Sequence, residues 1–158
     1  MRLLARLIRS AAVFLLLASA AGAQTLDKKV LSLEAAKTIA AAAELAAREH
    51  GVGVVIAVVD DGGHLILLHR LDDAQVASVN VGIGKARTAA IYRRPSKDFE
   101  EQIRAGRVAA LALADSTPLQ GGVPIRVDGK VVGAVGVSGD TPQVDEAIAI
   151  AGANALNR

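Results

Sequence analysis

The chain predicts an α+β fold, an antiparallel β-sheet with helices packed on it. Three observations lead there. Helix-like and strand-like patterns follow in the order helix, hairpin, helix, loop, hairpin, helix. Each pair of strand-like runs is joined by tight-turn chemistry, Asp60-Asp61-Gly62-Gly63 in one and Asp128-Gly129 in the other. The helices carry stripes of alanine, small enough to lie close on a sheet.

Residues 32–50 (SLEAAKTIAAAAELAAREH) form the first predicted helix. Ser32 can cap its free N–H groups, Glu34 suits its positive end, and Gly51 follows as the terminating residue. Val52 to Val59 (VGVVIAVV) is a β-branched run fit for a buried strand, and His64 to Leu71 is its return strand. Residues 74–91 read as a second helix with Val76, Val79, Ile83, Ala86 and Ala90 inward, although Gly82 and Gly84 weaken the pattern. Tyr92-Arg93-Arg94-Pro95 stops it, and residues 96–103 (SKDFEEQI) read as a short capped helix. Residues 104–119 carry no decisive pattern. Val123 to Val127 and Lys130 to Ser138 flank the Asp128-Gly129 turn. Thr141-Pro142 then offers an N-cap and a proline at the first helical position, opening a helix to about Leu156 with Val144, Ile148 and Ala151 toward the sheet.

The first 23 residues stand apart. Arg2, Arg6 and Arg9 precede the apolar run Ala11 to Ala18 (AAVFLLLA), and Ala21-Gly22-Ala23 fits a cleavage site. That order is a secretory signal peptide, and the run is shorter than the ~20 residues that span a bilayer. The expected organisation is therefore residues 1–23 as signal and 24–158 as one domain, 158 − 23 = 135 residues, in a periplasmic or secreted protein with no membrane span in the mature chain. Removing three arginines from 18 cations leaves 15 against 16 acids, so the formal net charge passes from +2 to −1. With only Tyr92 and Phe99 as aromatics in the mature chain, stacking platforms for bases are missing and nucleic acid is not an expected partner. There is no cysteine, which excludes disulfides and thiolate chemistry. A core of small side chains buries little area per residue, so a homo-oligomer is expected.

Glycine is frequent between Gly121 and Gly139, at Gly121, Gly122, Gly129, Gly133, Gly136 and Gly139, and each in a strand costs about 0.5–1 kcal/mol against alanine. Gly133 and Gly136 fall on opposite faces of the last strand, one bare position available to a helix and the other to a ligand or a neighbouring subunit. Gly62-Gly63 could offer N–H groups to an anion or simply close a hairpin.

Asp60-Asp61-Gly62-Gly63-His64-Leu65, Lys85-Ala86-Arg87-Thr88-Ala89, Gly121-Gly122-Val123-Pro124-Ile125, Val132-Gly133-Ala134-Val135-Gly136-Val137-Ser138-Gly139 and Gln143-Val144-Asp145-Glu146-Ala147 follow one another in this chain. Together they resemble the GlcG/HbpS family, also called the haem-degrading or DUF336 domain, over roughly residues 31–156. The resemblance implies a profilin-like antiparallel sheet of about five strands flanked by helices, assembly into oligomers, and haem or a related tetrapyrrole as ligand and cofactor. Other members are associated with glycolate or aromatic-acid catabolism, which leaves function open.

Haem iron usually takes histidine, cysteine, methionine or tyrosine, so His50, His64, His69 and Tyr92 are the candidates once Met1 leaves with the signal. His64, in the matching motif beside Gly62 and Gly63, is the expected metal ligand. Strand alternation puts His69 on the opposite face and Arg70 on the same face as His64. Lys85 and Thr88, three apart on a helix, share a face and with Arg87 could meet a carboxylate. Gly121, Gly122, Gly136 and Ser138 complete the expected cofactor-binding set. Asp145 and Glu146 suit the start of the last helix, with a hard-metal or catalytic role as the alternative. Gly136-Val137-Ser138-Gly139 is not a nucleophile elbow, the 82–87 segment lacks the last glycine of a dinucleotide loop, and no catalytic residue is legible. Three readings follow: an exported, oligomeric haem-binding protein for sensing, storage or transfer; an enzyme or accessory factor acting on a small hydroxy- or keto-acid; or an assembly module whose glycine-rich ribbon only packs subunits. In the second, Lys85, Arg87 and Arg70 hold the carboxylate and His64 moves a proton.

Overall fold

The computed structural model describes residues 26–156; the segment read as a signal peptide lies outside them. Its elements are α1 (Leu33–His50), β1 (Val55–Asp60), β2 (Leu65–Arg70), α2 (Ser78–Ile91), α3 (Lys97–Arg104), a 3-10 turn (Val108–Ala112), β3 (Gly122–Val127), β4 (Lys130–Ser138) and α4 (Pro142–Ala153), closed by a short 3-10 turn (Asn154–Leu156). The α+β architecture is the one expected, with four strands rather than five. All neighbours are antiparallel in the order β2-β1-β4-β3, so β1 and β4 form the centre.

The caps explain where the helices begin and end. Ser32 Oγ accepts from Ala35 N at 3.1 Å, and Gly51 takes φ 69° past the end of α1. Thr141 Oγ1 accepts from Val144 N above Pro142. The α2 helix starts at Ser78, four residues later than the periodicity suggested, and Val76 is 76% exposed rather than inward. Ser96 does not cap α3; its hydroxyl is used elsewhere.

The sheet is covered unequally. On one face α1 lies over β2 and β1 while α4 lies over β4 and β3, enclosing Ile39, Ile56, Ile125 and Ile148. Full burial of such side chains contributes about 1.5–3 kcal/mol each. On the other face α2 lies alone over β1, β4 and β3. Ala86, Ala89 and Ala90 meet Ala57, Val59 and Ala134 there, a contact thin enough for close approach. The β2 strand is left largely bare on that side.

Candidate functional site

The residues singled out by sequence separate into two groups, one sealed inside and one at the β1–β2 turn. Lys85, Thr88, Gly121, Gly122, Gly136 and Ser138 belong to the interior. Gly82, Lys85, Ala86 and Ala89 follow the i, i+3, i+4, i+7 spacing of one helical face, and that face turns inward. Lys85 and Thr88 do share it, but Lys85 is no free cation. Its Nζ donates to Asp145 Oδ2 at 2.7 Å and to Val137 O at 3.0 Å, with the two side chains only 5% and 3% exposed. Burial pushes the Asp145 carboxyl up from its ordinary value, an effect that the Lys85 ammonium and the Asp140 amide oppose. Asp145 therefore ties α4 to α2 around the end of the sheet, beyond the dipole role its position suggested.

The glycines make that contact possible. Gly121 holds φ 123°, and a Cβ there would lie 2.9 Å from Lys85 Nζ and 2.8 Å from Val137 O. At Gly122 a Cβ would strike the Lys85 carbonyl and lie 2.8 Å from Ser96 Oγ; at Gly136 it would strike Gly82 O and sit 2.5 Å from Ala86 N. Gly133 is filled by Leu31. The expectation that one bare strand position admits a ligand is corrected accordingly: both receive the chain's own atoms. Ser138 Oγ meets Ser78 Oγ inside, and Thr88 Oγ1 donates to Gly84 O and accepts from Thr117 N at 2.7 Å, anchoring the loop before β3. Ser96 Oγ similarly donates to Leu119 O and accepts from Gly122 N, while Glu146 accepts from Lys97 and Gln120. Ser96, Gln120 and Glu146 were missed as partners in this network because they lie far apart in the chain.

Gly62, Gly63, His64 and Arg87 gather at the β1–β2 turn, where Gly62 and His64 are exposed, Arg87 is half-buried and Gly63 is buried against it. Asp60 Oδ1 accepts from the amides of Gly62 and His64, each at 2.9 Å, closing the β1–β2 turn. Burial alone would raise the Asp60 carboxyl, but those amides and the imidazole outweigh it and hold the group below its usual range. Gly63 takes φ 82° against Arg87 Cγ, and Arg87 Nε donates to Gly63 O at 3.2 Å. His64 is 81% exposed; its Nδ1 faces Asp60 Oδ1 at 3.4 Å, and its Nε2 has no hydrogen-bond partner among the described residues.

Arg70 does not join His64. The register passes from Val58↔Leu67 to Val59↔Leu65, so β2 carries one extra residue and simple alternation between 64 and 70 fails. Arg70 pairs with Val55 and lies at the far end of β2, where with Arg48, Glu44, Asp72 and Asp73 it lines an open groove of about 690 Å³. His69 is held by Glu44 at 3.1 Å, Tyr92 Oη donates to Ala114 O at 2.7 Å, and His50 closes α1 beyond the opposite end of β1. Between Arg87 and Arg70, the α2 side of β2 presents Leu65, 47% exposed, and half-buried Leu68, which packs with Ile83 at the edge of the alanine cluster. The arrangement is an apolar strip with an arginine at each end and a carboxylate-backed imidazole on the adjoining turn. No group of three or more metal-ligating side chains occurs among the described residues.

Residues 31–154 match the family described as haem degrading protein HbpS-like. The chain is 46% identical over 111 residues to protein GlcG of Escherichia coli K12, covering 70% of this chain and 83% of that one. The chain belongs to the HbpS-like family. Among solved structures, a double mutant of Streptomyces reticuli HbpS superimposes with a TM-score of 0.78 at 32% identity, covering 88% of this chain and 95% of that one. A PduOC complex with haem gives 0.74 at 25% identity, covering 82% and 96%. Like them, this HbpS-like chain sets helices on both faces of one antiparallel sheet.

Proposed function

We propose that this HbpS-like chain is an exported, oligomeric protein that binds haem or a related tetrapyrrole along the uncovered α2 side of β2. The carrying observation is the strip of Leu65, Leu68 and Ile83 between Arg87 and Arg70, with His64 on the turn. A porphyrin is a flat apolar disc with two carboxylates at its rim and an iron that accepts imidazole. The residues fit each part: the strip takes the disc, Arg87 takes the carboxylate edge, and His64 Nε2 is available to the iron. Asp60 on the far side of the ring orients that imidazole, the usual second-sphere arrangement of a metal-binding histidine. Bound haem would supply a redox-active iron held at the protein surface. Family membership and the haem complex of PduOC support the ligand class; the basic, apolar and small-residue order of the first 23 residues supports export.

The small-acid alternative loses its three-cation site, because Lys85 is paired inside and Arg87 and Arg70 lie at opposite ends of the strip. Haemin titration followed by the Soret band decides between them, beside a thermal-shift panel of haemin, glycolate and related acids. The expected result is a saturable Soret shift, displaced and weakened about tenfold or more in His64→Ala and weakened without displacement in Arg87→Ala. No saturable shift, an unchanged His64→Ala spectrum, or stabilisation by the acids alone would overturn the reading.

A further inference from the structure

We propose that Asp128-Gly129, at the tip of the β3–β4 hairpin, is a site of spontaneous isomerisation to isoaspartate with Lys29 as its brake, and that Asp61-Gly62 is spared. These are the two Asp-Gly steps of the sequence, which has no Asn-Gly. Glycine has no Cβ to crowd its nitrogen, so such steps close more readily than others. Both lie in turns at one end of the sheet, where Asp60 of β1 pairs with Gly133 of β4. Leu31 fills the space at Gly133, which lays the segment before α1 across that end. From this segment Lys28 Nζ meets Asp61 Oδ2 at 2.7 Å, and Lys29 pairs with Asp128.

In the reaction the Gly129 amide nitrogen attacks Asp128 Cγ. The new N–Cγ bond closes a succinimide ring, and the carboxyl hydroxyl leaves as water with the amide proton. Water then reopens the ring, and cleavage at the backbone carbonyl leaves the main chain running through Cβ and Cγ. One water is lost and one regained, so no other reactant is needed. The step requires a free amide and a neutral carboxyl, because a carboxylate is a poor electrophile. Asp61-Gly62 lacks the free amide: Gly62 N donates to Asp60 Oδ1 at 2.9 Å, and the Asp61 side chain is only 25% exposed. At the other turn the Gly129 amide has no hydrogen-bond partner among the described residues, and a Cβ on Gly129 would meet nothing within 4 Å. The Asp128 side chain is 73% exposed. What restrains it is the Lys29 ammonium, whose hydrogen bond holds the carboxyl below its ordinary value and keeps it ionised.

This inference stands on the two turns alone and is tested on the protein without haem, so it can fail while ligand binding holds. The purified protein is aged in warm, mildly acidic buffer and digested, and isoaspartate is located by electron-transfer fragmentation in the mass spectrometer. The wild type is expected to accumulate it at position 128 and not at 61. Lys29→Met, a change at an exposed side chain that leaves the core untouched, should raise the initial rate at 128 by about two- to fivefold, the factor a surface ion pair is worth. Lys28→Met should leave position 61 intact, because the Gly62 amide stays bound. Asp60→Ala frees that amide and should bring isoaspartate to 61 while the rate at 128 stays that of wild type, with circular dichroism confirming the fold. Isoaspartate at 61 equal to that at 128 in the wild type, none at 128 in Lys29→Met, or equal rates at 128 in wild type and Lys29→Met would each overturn the proposal.

Discussion

Replacing Lys85 by methionine removes one half of the ion pair that joins α2 to α4. The side chains of Lys85 and Asp145 are 5% and 3% exposed, and the carboxylate would stay buried with the Asp140 amide as its remaining partner. Stranding one member of a buried pair costs about 3–5 kcal/mol, whereas replacing both by apolar residues of similar volume is often neutral or better. Lys85→Met should therefore lower the midpoint of thermal unfolding by roughly 10–20 °C, and Lys85→Met with Asp145→Leu should recover most of it. The pH dependence has a definite sign. Burial raises the Asp145 carboxyl above its ordinary 3.8, so the folded state holds its proton more tightly than the unfolded chain. Stability from that proton is complete below 3.8 and is lost as the pH rises through the raised value. Without Lys85 to oppose burial the rise grows, and Lys85→Met should regain stability on acidification while wild type does so less. Urea denaturation of wild type, Lys85→Met, Asp145→Leu and the double variant at several pH values forms the cycle. Costs that simply add, or a Lys85→Met variant within about 1 kcal/mol of wild type, would refute the reasoning.

Other substitutions test the remaining contacts. Gly136→Ala drives a Cβ into the backbone of Gly82 and Ala86, which cannot give, and should cost about 1–3 kcal/mol or more in urea denaturation. Gly129→Ala meets nothing within 4 Å and should show only the smaller strain of its φ 74°. Ser96→Ala strands the Gly122 amide and should cost about 1–3 kcal/mol, read the same way. Asp60 is depressed, so its contribution to the β1–β2 turn is present above the ordinary carboxyl value of 3.8 and lost as the pH falls through the folded value. Asp60→Ala should speed exchange of the Gly62 and His64 amides above pH 4 and make it insensitive to that titration.

Local signals read well from sequence because the forces behind them are local. The Ser32 and Thr141 caps, the Gly51 terminus and the Asp128-Gly129 turn each depend on a few adjacent residues, and each formed as expected. Two features needed the third dimension. The extra residue in β2 comes from pairing with β1, and it separates Arg70 from the His64 turn. The Lys85–Asp145 pair spans 60 positions, although a signal was there: each partner lies on its helix's inward stripe, Asp145 with Ile148, Ala149 and Gly152. A charged residue on such a stripe must find a partner. The glycines were legible as sites of close approach, but their neighbours are determined by the packing of α2 and by Leu31, which spacing does not contain.

The central claim is that a tetrapyrrole lies on the bare side of β2 and not within the glycine-rich strands. Backbone amide NMR of the chain titrated with diamagnetic gallium protoporphyrin tests it directly. The account predicts shifts concentrated at residues 62–68, Ile83 and Arg87; shifts confined to Gly121, Gly122, Gly136 and Ser138 would contradict it.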